Sequence, residues 1–442
     1  MMCNRTYSYE ESKVNYVESK QNLIGSASSL RINSIWRLIG QIIYLACQWG
    51  MLVVLAKLGS PEMVGQYALG LAISAPVILF FNLQLRIVQS TDVRNEYIFS
   101  ESFILRIVLG ITAVVFIFLT AIVFEYTIST IYIVIGIALC KVIESISEII
   151  HGYFQKYEQM KLVAYSLIAK GVFALAFLFS GIFITHTLIG GVIGIICGWT
   201  ITLFLDMSNC VKLNRNICSE KNKGVSFFLD PFLQLTRAKT LVLLTFPLGL
   251  VTMLSSFISN VPRYFISYYF GERELGLFSA VSYFMMFGAL ISSAFGETIA
   301  PRLAKYYLEK DNKKFTYLLM IVLIVGSAIW LVGLIITILK GPDILALIYA
   351  PEYSKYSIIM IWIIFAAGLE FIASIIRYAI MATKFYIGQT PLFLSLAVIA
   401  VLLCIILIPL YGVTGACIAI NFTMLVQIVG SIIILYRIFN KR

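Results

Sequence analysis

From residue 32 to residue 436 the chain is a succession of apolar stretches about 20 to 25 residues long, each closed by a short break carrying charge, Gly or Pro. The stretches fall at 32–56, 63–88, 101–124, 128–151, 159–184, 188–211, 239–262, 275–300, 315–339, 356–379, 387–409 and 412–436. None alternates with the period of a barrel strand. Hydrocarbon tolerates only structures that satisfy their own backbone, so each stretch reads as a helix. The pattern predicts an all-α polytopic membrane protein with about 12 transmembrane helices.

The longest interior polar run, "VKLNRNICSEKNKGVSFFLDPFLQLTRAKT" at 211–240, follows the sixth span and divides the chain into equal sets of spans. The expected organisation is a tail (1–31), an N-lobe (32–211), a linker (212–238) and a C-lobe (239–442). Two echoes support duplication. "GSPEMVGQYALG" (59–70) and "GERELGLFSAVS" (271–282) precede the second and eighth spans, and "LIGGVIGIICG" (188–198) and "YGVTGACIAIN" (411–421) precede the sixth and twelfth. An even number of spans per half makes the repeat parallel, which predicts two six-helix lobes around a central cavity.

Composition fits this picture: 60% of residues are hydrophobic and 12% charged, with mean hydropathy +0.93, against about 25% charged in soluble domains. The net charge of +11 sits on no soluble basic domain, so it gives no reason to expect nucleic acid. With the amino terminus inside, 24 Lys and Arg fall in inside segments and five (Lys57, Arg263, Arg273, Lys340, Lys355) outside, which predicts both termini in the cytoplasm. The tail has no apolar core with a cleavage site, so the first span is expected to target the chain. The eight cysteines form no C-x-x-C and read as free thiols.

Four cations, Arg37, Arg106, Lys141 and Lys170, lie inside spans. A charge at the bilayer centre costs about 2.5–3.5 kcal/mol on insertion scales, so such groups face protein or a wet cavity. In "ALCKVIESISEIIHG" (138–152), Lys141, Glu144, Glu148 and His151 share an arc of about 80° on the fourth span, a stripe facing one place. Two readings stand: a Lys141/Glu144 pair joining the helix to a neighbour, or the lining of a cavity. Arg37, Gln41 and Gln48 share a face of the first span. Lys170 and Lys141 lie near mid-depth, whereas Arg106 is nearer the inner surface, where it either lines the cavity or snorkels. These cations against Glu144 and Glu148 make a net positive cavity, suited to an anionic cargo. The second half is poorer in charge. Its Glu370, alone in hydrocarbon, is cheapest to bury as the neutral acid, which with Glu144 and Glu148 makes it a candidate for proton or sodium coupling or, equally, for a helix–helix hydrogen bond.

Enzyme signatures are absent: there is no P-loop, no Gly-x-Ser-x-Gly and no metal spacing around His151 and His186. The linker is too short for a nucleotide-driven pump. No cofactor is expected.

Several stretches carry a family resemblance in order: "KLGSPEMVGQYALGLAISAP" (57–76), "NLQLRIVQSTD" (82–92), "SNVPRYFISYYFGERELGLFSAVSYF" (259–284), "APRLAKYY" (300–307), "YAPEY" (349–353) and "IPLYGVTGACIAI" (408–420). Together they resemble the bacterial polysaccharide flippases, the O-antigen and capsule repeat-unit transporters of the MOP superfamily, over about residues 25–437. The resemblance implies an alternating-access cavity in the bacterial cytoplasmic membrane and an undecaprenyl-pyrophosphate-linked oligosaccharide as cargo. It also implies contact with membrane lipids and with other polysaccharide-assembly proteins. Function in the cavity carries over to Arg37, Arg106, Lys141 and Lys170 by position, and to Asn82, Arg86, Asn260 and Arg263 by motif. The paucity of mid-depth charge in the second half argues against a symmetric clamp. A peptidoglycan-precursor flippase, a cation-coupled drug exporter and, from another class, a membrane polysaccharide polymerase are the alternatives. Cationic cavity residues disfavour the exporter, and short external loops disfavour the polymerase.

Overall fold

The computed structural model describes residues 27–91, 99–217, 228, 235–383 and 389–440. Most of the tail and of the linker, with Cys3 and Cys218, lies outside the described residues. The first six spans are Ala27–Leu58, Pro61–Phe81, Phe99–Val123, Ile128–Lys156, Met160–Thr185 and Leu188–Ile217, with a short helix, Leu85–Thr91, after the second. The seventh and eighth form one continuous assignment, Leu235–Ser282, extended by Met285–Leu308. Asn312–Ile348, Ser357–Ala382 and Gln389–Asn440 complete the chain.

Nine of these segments are long and apolar enough to cross a membrane. Two of the nine hold two spans each. Each is broken at a glycine outside the helical region, Gly271 (φ 78°, ψ −174°) and Gly412 (φ 63°, ψ −144°). Reversal at Gly412 brings Gly430 back against Leu392, and an added Cβ at Gly415 would meet the Leu407 carbonyl at 2.0 Å. With the stripe-bearing Ile128–Lys156 the described residues hold twelve spans, in the two-lobed arrangement expected.

Local signals set the ends. Ser60 caps the second span by accepting from the Met63 amide at 3.4 Å, with Pro61 in the first turn. Many buried hydroxyls are returned to carbonyls one turn back, as in Thr202 to Gly198 (3.0 Å) and Thr423 to Ala419 (2.8 Å). The six described cysteines are free. The second span ends at Phe81 rather than 88, because Leu83 and Gln84 take positive φ (47° and 52°) and turn the chain. The seventh runs on to residue 270, which places Arg263 inside a span and not in an external loop.

The largest apolar core joins the lobes. It gathers Met51, Leu55 and Leu69 from the first half with Val261, Phe278, Val281, Tyr349 and Cys417 from the second. At the same end, Arg273 bridges Glu62 and Glu352 at 2.8 Å each, Lys57 Nζ donates to the Leu347 carbonyl (3.1 Å), and Gln66 and Thr130 both donate to Glu272 (2.8 Å each). The backbones meet where Gly65 and Gly276 cross. A Cβ on Gly65 would lie 1.8 Å from the Glu272 carbonyl oxygen, and one on Gly276 1.8 Å from that of Pro61. This is the latched end. At the opposite, terminal end the first and eighth spans are tied by a single described ion pair, Arg37 to Glu297 at 3.8 Å, with both side chains about half exposed (42% and 50%).

Candidate functional site

The polar side chains converge where the lobes meet. Tyr44 of the first span donates its hydroxyl to Glu144 Oε1, and Gln48 Nε2 donates to Tyr44 at 2.9 Å. Lys141 Nζ donates to Glu144 Oε2 at 2.8 Å and stands 5.6 Å from the Trp199 ring centroid. Lys170, 2% exposed, lies 6.0 Å from the Tyr44 ring and within electrostatic reach of Glu144. The C-lobe contributes Tyr283, which is in reach of Lys141, Glu144 and Arg263 together. Asn260 orients Arg263 by accepting from its Nη1 at 2.6 Å and donating to the Ser256 carbonyl at 2.9 Å. The expected Lys141/Glu144 pair exists, and it sits on the junction rather than on a lipid face. Two carboxylate oxygens there hold one tyrosine and one lysine, which leaves Lys170 and Arg263 as the cations with charge to offer an anion.

The fourth-span stripe does not face one place. Lys141 and Glu144 point to the junction, Glu148 stands near Arg86 and Arg106, and His151, 1% exposed, turns into the N-lobe against Ser166 and Asp206. Long side chains on an arc of this width, met by helices crossing at different heights, reach separate neighbours. Arg106 does not snorkel: it is 1% exposed, and its Nε and Nη1 have no hydrogen-bond partner. A guanidinium buried this way costs several kcal/mol. Arg86 packs on the fourth span at Gly152. Asn82 caps the second span through its backbone amide, a structural role. Gln41 is half-buried on the same helix as Arg37.

The C-lobe holds a hollow of about 390 Å³ lined by Ser259, Arg263, Tyr283, Glu370, Arg377 and Gln427, among others. Glu370 is not alone there, since Arg377 Nη2 donates to it at 3.2 Å. A second hollow, about 740 Å³ and nearly all apolar, lies along the first and fifth spans. Trp49, Val53, Val54, Leu175 and Phe179 line it, with Ile348 from the C-lobe. Among the described residues no group of His, Cys, Asp or Glu could hold a metal ion. Sequence reasoning missed Tyr44, Tyr283 and Asp206, and it did not pair Arg377 with Glu370. An acid inside "ITLFLDMSNC" was a signal that could have found Asp206.

Comparison with known proteins places this architecture. The family model for polysaccharide biosynthesis proteins matches residues 30–307. The chain belongs to that family. Within it, the chain is similar to the capsular polysaccharide biosynthesis protein CapF of Staphylococcus aureus, 26% identical over 412 residues, covering 92% of this chain and 99% of that protein. Solved structures share the fold at low identity. An inward-facing multidrug resistance MATE family transporter of the MOP superfamily superposes with TM-score 0.68 at 15% identity, over 92% of this chain and 99% of its own. The lipid II flippase MurJ, in an inward closed conformation, gives 0.70 at 14% identity over 92% and 87%. A MOP superfamily transporter from Pyrococcus furiosus, described as having a binding pocket of reversed polarity, gives 0.60 at 14% over 94% and 97%. These likenesses establish the MOP fold of a multi-pass membrane protein; the polysaccharide family sets its biological setting.

Proposed function

We propose that this protein is a flippase that carries an undecaprenyl-pyrophosphate-linked oligosaccharide repeat unit across the bacterial cytoplasmic membrane by alternating access. The observation that carries the reading is the cationic junction: Lys141, Lys170 and Arg263 gather between the lobes around Tyr44, Glu144 and Tyr283. A diphosphate passing through hydrocarbon needs such compensation, because an unpaired charge there is prohibitive. Buried Arg106, with two unpartnered guanidinium nitrogens beside Arg86, adds a further anion-seeking group toward the terminal end. The apolar hollow between the first and fifth spans, touched by Ile348, offers the polyprenyl tail a path beside the junction.

With Arg263 inside a span, 24 Lys and Arg stand against four (Lys57, Arg273, Lys340, Lys355), which orients the terminal end and both termini to the cytoplasm. The latched state is then inward-facing. Lobes 32–211 and 239–442 rock about the junction, joined by the cytoplasmic linker 212–238, so that breaking the Arg273 bridges exposes the head group outside. A proton or sodium gradient acts through Glu144, Glu148 and Glu370, the last paired with Arg377. Other polysaccharide-assembly proteins are the expected partners. A drug exporter of the same fold would favour acidic junction residues. A lipid II flippase shares the diphosphate chemistry and is separated by cargo complementation.

Replacing Lys141 and Lys170 together with Ala, in a bacterium lacking its own repeat-unit flippase, abolishes surface polysaccharide while membrane abundance of the protein holds. Normal polysaccharide in that strain refutes the assignment.

A further inference from the structure

One buried titratable cluster stands apart from the lobe junction. On a single oxygen, Oδ2, Asp206 of the sixth span accepts the hydroxyls of Ser147 and Ser166, the latter at 2.8 Å, with His151 Nε2 3.5 Å away. His151 Nε2 also stands 2.7 Å from Ser166 Oγ. Because the Ser166 hydroxyl donates to Asp206, its oxygen accepts from the imidazole. The ring hydrogen is thereby assigned to Nε2, and Nδ1 is left to take a proton. All four side chains are 1–5% exposed.

The titratable surroundings include the buried Cys210 thiol, one turn beyond Asp206 on the sixth span. Lys170 of the fifth span and Arg86 of the short helix act on His151, and Lys170 acts on Asp206 as well. Arg106 of the third span and Glu148 of the fourth lie behind Arg86. The second span carries only Glu62 and Tyr67, both in its first two turns at the latched end. With a neutral imidazole the cluster bears one negative charge, facing Lys170 and Arg86. With a protonated imidazole it is a neutral pair. One proton therefore switches the charge beside Lys170, and Lys170 also acts on Glu144 at the junction.

We propose that His151 and Asp206, with Ser147 and Ser166, form a proton-binding site in the N-lobe, and that its occupancy sets through Lys170 how strongly the junction holds an anionic head group. Proton on, the imidazolium compensates Asp206 and Lys170 serves Glu144 and the junction; proton off, Asp206 draws on it. Proton and anion then bind cooperatively, and the linkage is reciprocal. The anion half of this statement rests on the flippase reading; the proton half does not.

The chain has only two histidines, so His186→Asn leaves His151 as the sole imidazole, and Asn tolerates the left-handed backbone at 186 (φ 52°). In that variant, labelled with ¹⁵N-histidine and held in nanodiscs, the His151 ring takes up a proton as the pH is lowered across the range in which the protein stays folded. Adding Lys170→Met makes it bind its proton about tenfold more tightly, the size of one pKa unit. A ring that stays neutral throughout the range in which the protein stays folded, or that titrates identically with and without Lys170, overturns the proposal. In the second arm, undecaprenyl pyrophosphate is the probe. Its affinity falls about tenfold more for the wild type than for His151→Gln across the pH interval in which the first arm shows the ring losing its proton. Equal pH dependence in the two overturns the coupling. Absence of probe binding at any pH while His151 titrates normally supports the proton site and overturns the flippase reading instead.

Discussion

The crossing of Gly65 and Gly276 makes the closed latch a testable state. In Gly65→Ala/Gly276→Ala each new methyl would stand 1.8 Å from a carbonyl oxygen of the facing backbone, Glu272 in one case and Pro61 in the other. Contact needs at least 3.0 Å, so the helices must part by about 1.2 Å at a place where both neighbours are backbone and neither can rotate away. Overpacking of this kind costs about 1–3 kcal/mol. The two sites share one contact and do not add fully. Applied to the latched state alone, that cost lowers its ratio to the open state by roughly 5- to 150-fold. Hydrogen–deuterium exchange of the reconstituted protein reads this directly. Peptides covering 57–66, 271–280 and 349–356 exchange faster in the double variant, while those at the terminal end do not. Gly333→Ala is the control, since nothing lies within 4 Å of a Cβ placed there. Wild-type protection at the latched end in a normally folded double variant would show that the crossing does not hold the lobes together.

Two further outcomes follow from the geometry. Gly271→Ala has open space around its Cβ, so its cost of about 1–3 kcal/mol comes only from the backbone at φ 78°, ψ −174°; it lowers Tm without altering exchange at the terminal end. Arg106→Met removes a buried cation with unpartnered N–H groups, so thermal stability is unchanged or raised while surface polysaccharide falls; a large loss of Tm instead would mean the guanidinium is satisfied in the folded protein.

Hydropathy carried the all-helical, many-span fold, since lipid leaves a chain few other ways to bury its backbone. What it could not carry was register beyond a charge or an apolar residue in a turn. Leu83 and Leu85 prolong the apolar run of the second span although the backbone has already turned at 83–84. Arg263 looks like a span's end, yet "YFISYYF" continues the helix past it to Phe270. Periodicity grouped Lys141, Glu144, Glu148 and His151 correctly on one face, but which helices cross that face is tertiary information, and these divide the stripe between the junction and the N-lobe interior. Glu370 and Arg377 stand seven residues apart, two turns, a separation that only the reach of an arginine closes. Tyr44 and Tyr283 are hidden in sequence because an aromatic in an apolar run carries its function on one hydroxyl.

The most direct test places the purified protein in vesicles with a fluorescent undecaprenyl-pyrophosphate-linked oligosaccharide in one leaflet and follows its arrival in the other with a membrane-impermeant quencher. The account predicts protein-dependent translocation that is lost when Lys141 and Lys170 are both replaced by Ala. Translocation no faster than in protein-free vesicles, or equally fast without the two lysines, would contradict it.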